Sequence, residues 1–122
     1  FYITEERVLL EDKLYICVLD EFPDYMTPTL VAHAVLRHHL AEVFDETNDI
    51  YRYHRWLDDS FKKCVVRVNR KEFEKIKLLP NVTQSWENNT LNGEVSCLTI
   101  VANKEEHKVL KFAKLWKPLE IV

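Results

Sequence analysis

Glycine is almost absent from this chain of 122 residues, which contains only Gly93. Dinucleotide-binding loops and Walker-type loops need several glycines, because their backbone amides must approach phosphate groups closely. Neither kind of loop is therefore present. If the protein binds a phosphate group, side chains or the N-terminus of a helix must contact it.

An excess of one charge and long apolar runs are lacking as well. Seventeen basic and twenty acidic residues give a formal charge of -3, so no overall attraction to nucleic acid or anionic membranes is expected. No apolar run approaches the ~18 residues of a transmembrane helix, and residues 1–13 lack the charged-then-apolar order of a signal peptide. These features predict a cytoplasmic protein without membrane contact.

Cysteine is scarce, and its number is odd. Cys17, Cys64 and Cys97 each lie in the middle of an apolar, strand-like run. A disulfide framework or a zinc cluster would place cysteines in turns at short spacing, so burial in the core is predicted for all three. The histidines have no partners at a metal-ligand spacing, and neither a metal nor a cofactor is predicted.

The chain is rich in apolar residues. Its 47% of hydrophobic and 11% of aromatic residues suffice for one well-packed core, and a single domain over residues 1–122 is expected. Residues 13–19 form an apolar run typical of an interior strand that is covered on both faces. Thr27 and Pro28 then indicate the start of a helix that continues to Phe44, with Thr27 capping its free amides and His38 and His39 at the surface.

The second half of the chain alternates strand and helix signals. Residues 45–60 predict either an irregular excursion or a short amphipathic helix. Strands are predicted at Lys63–Val68, Val82–Glu87 and Val95–Ala102, and Asn69 is the predicted cap of a short helix that Pro80 ends. The Asn92-Gly93 pair favours a tight turn, which would make the last two strands antiparallel neighbours.

The C-terminal region is predicted to close the fold. Residues 104–116 have the pattern of an amphipathic helix with Val109, Leu110, Phe112 and Ala113 facing inward. The apolar tail that follows would add an edge strand or pack on a partner. The complete order predicts a compact α/β domain with a four-stranded mixed sheet flanked by helices.

The corner between the first strand and the first helix, Asp20 to Thr29, is the predicted binding crevice, because ligands of open α/β sheets bind at the carboxyl ends of strands. Thr27 and Thr29 either cap the helix or receive an anionic group. Three carboxylates of this loop, Asp20 among them, would repel a bare phosphate. Carboxylates bind sugar hydroxyls well, so the combination suits a nucleoside better.

Three further sets of residues are candidates for the same site. His33 is either a core histidine or a ligand or acid/base group. Asn88 and Asn89 are typical turn residues whose amides could read base edges and ribose hydroxyls. The aromatic block, residues 51–56, interleaves rings with cations, so Tyr53 and Arg55 either stack on a base or serve packing or a protein interface.

The chain resembles the class II peptidyl-tRNA hydrolases of archaea and eukaryotes over most of its length. The resemblance rests on the strand KLYICVLDE, on Val31-Ala32-His33-Ala34, where the family has V-A-H-A, on Trp56 with the strand at 62–68, and on residues 93–100, which are similar to a family strand G-T-V-T-x-L. Residues 103–116 are similar to the closing helix of the family.

The resemblance implies a fold of this class and an active site in the crevice, but catalytic positions differ. The family has a lysine and a glutamine before V-A-H-A, whereas this chain has no lysine between Lys13 and Lys62 and has Leu30 at the glutamine position. Only His33, Glu87 and Ser96 carry over as catalytic residues. The missing lysine removes an electrostatic stabiliser of the reaction.

Three hypotheses follow. The leading one is a non-catalytic protein that captures a nucleotide-like small molecule, such as a signalling nucleotide, in the former active-site crevice. The alternative is a hydrolase of peptidyl-tRNA that uses His33, Glu87 and Ser96 and binds tRNA. The third is a protein-binding module or homodimer that uses the aromatic block or the tail from Leu115 to Val122.

Overall fold

The computed structural model describes residues 11–44, 50–89 and 91–118. Within these ranges, five strands and four α-helices form an α/β fold. The strands are β1 (Asp12–Leu19), β2 (Lys63–Val68), β3 (Thr83–Trp86), β4 (Val95–Asn103) and β5 (Lys114–Leu115). The helices are α1 (Thr27–Phe44), α2 (Ile50–Asp58), α3 (Arg70–Lys77) and α4 (Lys108–Lys111), and a 3₁₀ turn, Asp24–Met26, leads into α1.

The five strands form one mixed sheet in the order β3-β4-β1-β2-β5. Strand β1 is parallel to β2 and antiparallel to β4, while β3 and β5 are antiparallel to their neighbours. The predicted α/β architecture with a mixed sheet is confirmed. The predicted number of four strands is wrong, because β5 extends the sheet beyond β2.

The predicted helix over 104–116 is also wrong. Only one turn forms, α4, in which Leu110 is buried, and Phe112 is exposed instead of facing inward. Strand pairing prevails over helix propensity here, since β2 would otherwise present unpaired backbone groups at the sheet edge. The Trp116 N–H extends this pairing by donating to the Val65 carbonyl at 2.8 Å.

Helices cover both faces of the sheet, as the apolar run of β1 predicted. Alternate residues of a strand point to opposite faces. In β1, Leu14, Ile16 and Val18 pack under α1 and α2. Tyr15, Cys17 and Leu19 pack against α3 and α4 on the other face. The buried helix residues are Leu30, Ala34, Tyr53 and Trp56 on the first face and Phe73, Ile76 and Leu110 on the second.

Helix α1 is apolar on both sides, and its buried residues include three polar ones, Thr27, His38 and Glu42. The buried positions recur every four residues from Leu30 to Glu42. The prediction that His38 lies at the surface is wrong, because the residue is 1% exposed and its Nδ1 lies 2.8 Å from Thr99 Oγ1. The opposite side of the helix exposes Leu36, Leu40, Val43 and Phe44.

Local sequence signals are confirmed around α3 and before β4. The Asn69 side chain accepts the Glu72 N–H, and the Glu72 carboxylate accepts the Asn69 N–H, so α3 begins with a capping box. Asn92 and Gly93 have φ of 53° and 76° and precede β4, which is antiparallel to β3. The connection over 87–94 is longer than the predicted tight turn.

Some predictions concern residues outside the described ranges. The prediction that a signal-peptide pattern is lacking depends largely on residues 1–10, which lie outside the described ranges. The predicted apolar tail includes residues 119–122, which also lie outside them. After Phe44, the helical alternative is realised by α2, while 45–49 also lie outside the described residues. None of the helices within the described ranges has the length and hydropathy needed to cross a bilayer.

Candidate functional site

The loops after β1 and β3 emerge at the same edge of the sheet, which is the edge formed by the C-terminal ends of these two strands. Cys97 of β4 pairs with Val18 near the end of β1 and with Ser85 near the end of β3. The loop before α1 and the loop over 87–94 therefore begin side by side. This arrangement brings together residues that lie more than 50 positions apart in the sequence, such as His33 and Glu87.

His33 and Glu87 meet at this edge. His33 Nε2 lies 2.8 Å from Glu87 Oε2, and the two side chains are 42% and 11% exposed. The other carboxylate oxygen, Glu87 Oε1, accepts the Asn89 N–H at 2.7 Å. Two of the three predicted catalytic residues are thus in direct contact.

The ionised state of Glu87 determines which nitrogen of His33 carries the shared hydrogen. The Asn89 N–H first, and then His33, lower the pKa of Glu87, so the carboxylate is ionised at neutral pH. An ionised carboxylate only accepts hydrogen bonds, which means that His33 Nε2 carries the donated hydrogen. In the neutral ring, Nδ1 is consequently the nitrogen with a free lone pair.

Arg37 and Trp86 extend the site along α1 and β3. Arg37 follows His33 by one helical turn, and its guanidinium carbon lies 3.8 Å from the centroid of the Trp86 ring. The positive charge of Arg37 also contributes to the lowered pKa of Glu87. The sequence analysis missed both residues, although the four-residue spacing from His33 and the position next to Glu87 were available signals.

Ser96, the third predicted catalytic residue, is not joined to the pair. Ser85 pairs with Cys97 and Trp86 with Val95, so Ser96 is the unpaired residue of a β-bulge. Its Oγ is buried and, within the described residues, has no hydrogen-bond partner. The catalytic set expected from the resemblance is therefore assembled only in part.

The start of α1 differs from the predicted anion-binding site. Thr27 is buried and already helical, with φ of -54° and ψ of -45°, and its N–H donates to the Asp24 carbonyl. The prediction that Thr27 caps free amides is wrong, because the 3₁₀ turn continues directly into the helix. Thr29 is exposed.

The acidic loop before α1 is partly neutralised by arginines. Asp24 forms a salt bridge of 2.8 Å with Arg67, and Glu21 forms one of 2.7 Å with Arg70. The Arg70 hydrogen bond lowers the pKa of Glu21. Asp20, the remaining predicted ligand residue of this loop, is exposed and lines a cavity on the β2 side of the sheet edge.

Apolar residues around the start of α1 belong to the core. Leu30, at the position of the family glutamine, is fully buried in the core on the α1 side of the sheet. Met26 and Leu91 pack against the same core. Polar contacts with a ligand would therefore come from His33 and Glu87 and not from these residues.

The remaining predicted ligand residues lie in two places. Asn88 and Asn89 are exposed beside Glu87. Tyr53 is buried and its hydroxyl lies 2.8 Å from His39 Nδ1, so its ring is not exposed for stacking on a base as predicted. Arg55 is exposed on α2, in a different surface depression from the His33–Glu87 pair.

The cysteines have the character of core residues. Cys17 and Cys97 are buried as predicted, while Cys64 is partly buried, and all three thiols are free. Burial raises the pKa of Cys97 to about 12 and that of Cys17 further, which disfavours the reactive thiolate. In the part of the chain that the structure describes, no group of three or more potential ligands is placed to hold a metal ion.

Comparisons with known proteins do not assign the chain. No protein-family model matches the sequence. A search of curated proteins also gives no significant match. The resemblance to the peptidyl-tRNA hydrolases therefore stays a prediction.

Proposed function

We propose that the protein binds a nucleotide-like small molecule at the sheet edge where His33 and Glu87 meet. The observation that carries this proposal is the 2.8 Å contact between these residues, which are 54 positions apart in the sequence. The pair places a partly exposed imidazole beside a largely buried carboxylate that the Asn89 N–H holds in position. Both groups accept hydrogen bonds from ribose hydroxyls or from base amino groups.

Arg37 and Trp86 add the remaining chemistry that a nucleotide needs. A guanidinium donates paired hydrogen bonds to a phosphate, and its plane stacks on a base. The Arg37 guanidinium lies over one face of the Trp86 ring, and this contact orients it. In this proposal, Arg37 supplies the positive charge that the family places on a lysine.

Capture without turnover is the form of the proposal that agrees best with the site. The lysine of the family has no equivalent in the acidic loop, and Leu30 is buried where the glutamine is expected. The Ser96 hydroxyl is not joined to His33 or Glu87. These differences remove groups that would stabilise a developing oxyanion but leave groups that bind a ligand.

The test is the identification of a bound molecule. Purified protein is exposed to a nucleotide-rich cell extract, washed and denatured, and the released small molecules are identified by mass spectrometry. An unmodified nucleotide near one equivalent is expected, and Arg37→Gln and His33→Gln should each retain about tenfold less. His54→Gln, which changes an exposed histidine of α2, is the matched control.

Two results would overturn the proposal. One is the absence of any nucleotide from the wild-type protein. The other is equal retention by Arg37→Gln, His33→Gln and His54→Gln, because the ligand would then occupy another part of the molecule.

A hydrolase of peptidyl-tRNA is the second candidate, and the His33–Glu87 pair favours it specifically. An imidazole held by a carboxylate is a suitable general base, so Nδ1 of His33 would take the proton of a water that attacks the ester. The guanidinium of Arg37 would stabilise the oxyanion. As the ester C–O bond breaks, His33 would return the proton to the 3′-oxygen, so that the tRNA leaves with a free hydroxyl and the peptide with a carboxylate.

This candidate is tested with an N-acetylated aminoacyl-tRNA. Release of the N-acetylated amino acid that is abolished in His33→Gln and reduced in Glu87→Gln would assign a hydrolase. Its binding of tRNA should weaken with salt. Ser96→Ala should leave turnover unchanged, since the hydroxyl is separate from the pair. Turnover that survives in His33→Gln would exclude this mechanism.

A further inference from the structure

A cavity opens on the β2 side of the sheet edge, apart from His33 and Glu87. Its volume is about 560 Å³, and residues from the ends of β1 and β2, the start of α3 and the chain around β5 line it. This volume lies in the range of small-molecule sites in proteins. The cavity shares no residue with the His33–Glu87 site.

Two lysines provide its available positive charge. Arg67 also lines the cavity, but both of its terminal nitrogens contact the Asp24 carboxylate, at 2.8 and 3.1 Å. The ammonium groups of Lys114 and Lys117 have no ion-pair partner within the described residues. Two carboxylates oppose these charges, namely the exposed Asp20 and Glu72, and one oxygen of Glu72 also accepts the Asn69 N–H of the α3 cap.

An apolar wall lies beside these charges. Phe112 and Leu115 line the cavity and are 66% and 62% exposed. Large apolar side chains next to a few polar groups are typical of sites for small organic molecules. Covering both side chains would remove apolar surface from water and favour binding.

We infer that this cavity binds a small organic anion, in which a phosphate or carboxylate group is attached to an apolar body. The anionic group contacts Lys114 and Lys117, and the apolar body packs on Phe112 and Leu115. Asp20 accepts a hydrogen bond from a hydroxyl or amino group of the ligand. The inference does not depend on the function proposed for the His33–Glu87 site.

Phenyl phosphate and benzoate are the probes, with inorganic phosphate and benzyl alcohol as partial probes. Titration is followed by amide chemical shifts, and shifts at residues 112–117 and at Asn69 are expected. Lys114→Gln/Lys117→Gln should weaken binding by about tenfold. Lys75→Gln/Lys104→Gln, which makes the same change in net charge at exposed lysines outside the cavity, should not.

Further variants separate the contribution of the apolar wall from that of the charges, and this cavity from the His33–Glu87 site. Phe112→Ala should weaken phenyl phosphate but leave the weaker binding of inorganic phosphate unchanged. His33→Gln should bind the probes as the wild-type protein does. The stronger of phenyl phosphate and benzoate identifies the preferred anionic group, and the same spectra verify that each variant is folded.

Three results would overturn the inference. The first is a lack of shifts around the cavity with either anionic probe. The second is an equal loss of affinity in the two double-lysine variants, which would indicate general attraction of anions. The third is binding of inorganic phosphate as tight as that of phenyl phosphate, which would leave no role for the apolar wall.

Discussion

His38 shows how the core holds a polar side chain in its uncharged form. Burial first, and the neighbouring His39 second, lower its pKa to about 4. Its Nδ1 is hydrogen-bonded to Thr99 Oγ1, whereas its Nε2 has no hydrogen-bond partner within the described ranges. The residue borders a small cavity together with Glu42 and Arg52. Protonation would place a charge beside the apolar interior, so the folded state favours the neutral ring.

We predict that stability decreases in mild acid because of His38. In the unfolded chain this histidine titrates near 6.5, so between pH 6.5 and about 4 the unfolded state binds the proton more tightly. The contribution is fully present above pH 6.5 and is lost as the pH falls toward 4, by at most about 3 kcal/mol. Urea denaturation at pH 7.5 and at pH 4 measures it.

The comparison with His38→Gln isolates this effect. The variant is less stable at pH 7.5 but should lose less free energy of unfolding on acidification than the wild-type protein. His54→Gln, at an exposed histidine, should follow the wild-type protein. Identical pH dependence in all three proteins would show that His38 is not the cause.

Individual residues were predictable where their role depends on near neighbours in the sequence, as for the Asn69 cap. His33 and Glu87 were named together from the resemblance to the hydrolase family, and their role in a site stays a prediction. The burial of His38 was not predicted, because α1 is apolar around its circumference and gives no indication of which side faces the sheet. Arg37 was missed for the same reason, since its contact with Trp86 depends on how α1 lies on β3.

The turn before β4 depends on the single glycine. Gly93 has φ of 76°, a left-handed conformation that a residue with a side chain adopts at a cost. Among the described residues, an added Cβ would meet the Asn88 side chain at 4.0 Å, which is an ordinary contact distance. The backbone conformation therefore sets the expected cost of a substitution.

We predict that Gly93→Ala destabilises the protein by about 1 kcal/mol. Urea denaturation with the neighbouring Glu94→Ala as control measures the difference. A much larger loss would indicate a clash that the geometry does not contain. An unchanged stability would show that the turn relaxes to another conformation.

Elements were predictable when their signals are local. The strand at Lys63–Val68 and the Asn69 cap follow from residues within or beside the element. The final helix was predicted wrongly, because its residues have helical periodicity but β5 forms by pairing with β2. A sequence pattern contains no information about which distant edge is open for pairing.

At the scale of the molecule, Arg52 connects parts that lie far apart in the chain. Its Nε and Nη2 donate to the Asp12 carboxylate at 2.9 and 2.8 Å, and its Nη1 donates to Glu106 at 2.9 Å. Helix α2 is thereby linked to the start of β1 and to the turn after β4. The two carboxylates raise the pKa of the guanidinium above its usual range.

We predict that Arg52→Met costs about 2 kcal/mol, because two partly buried carboxylates would lose their common partner. Lys62→Met, which breaks only the exposed pair with Glu11, should cost less than about 1 kcal/mol. Thermal denaturation of both variants at the same ionic strength gives the comparison. Equal effects would mean that Arg52 contributes no more than a surface ion pair.

The order of strands in the sheet could not be predicted from the sequence. Hydrophobic patterns predicted that both faces of the sheet are covered. The turn at Asn92-Gly93 predicted that β3 and β4 are antiparallel. The position of β1 between β2 and β4 depends on pairing between segments that are distant along the chain, and no local pattern specifies such pairing.

That position also determines when the protein can fold during its synthesis. Strand β1 leaves the ribosome before both of its neighbours in the sheet, and its antiparallel neighbour β4 extends to Asn103, which pairs with Asp12. Until then, an apolar strand has an open edge that is able to pair with other chains. The nascent chain is consequently most prone to aggregation before its last strands emerge, and slow translation of that region would prolong the exposure.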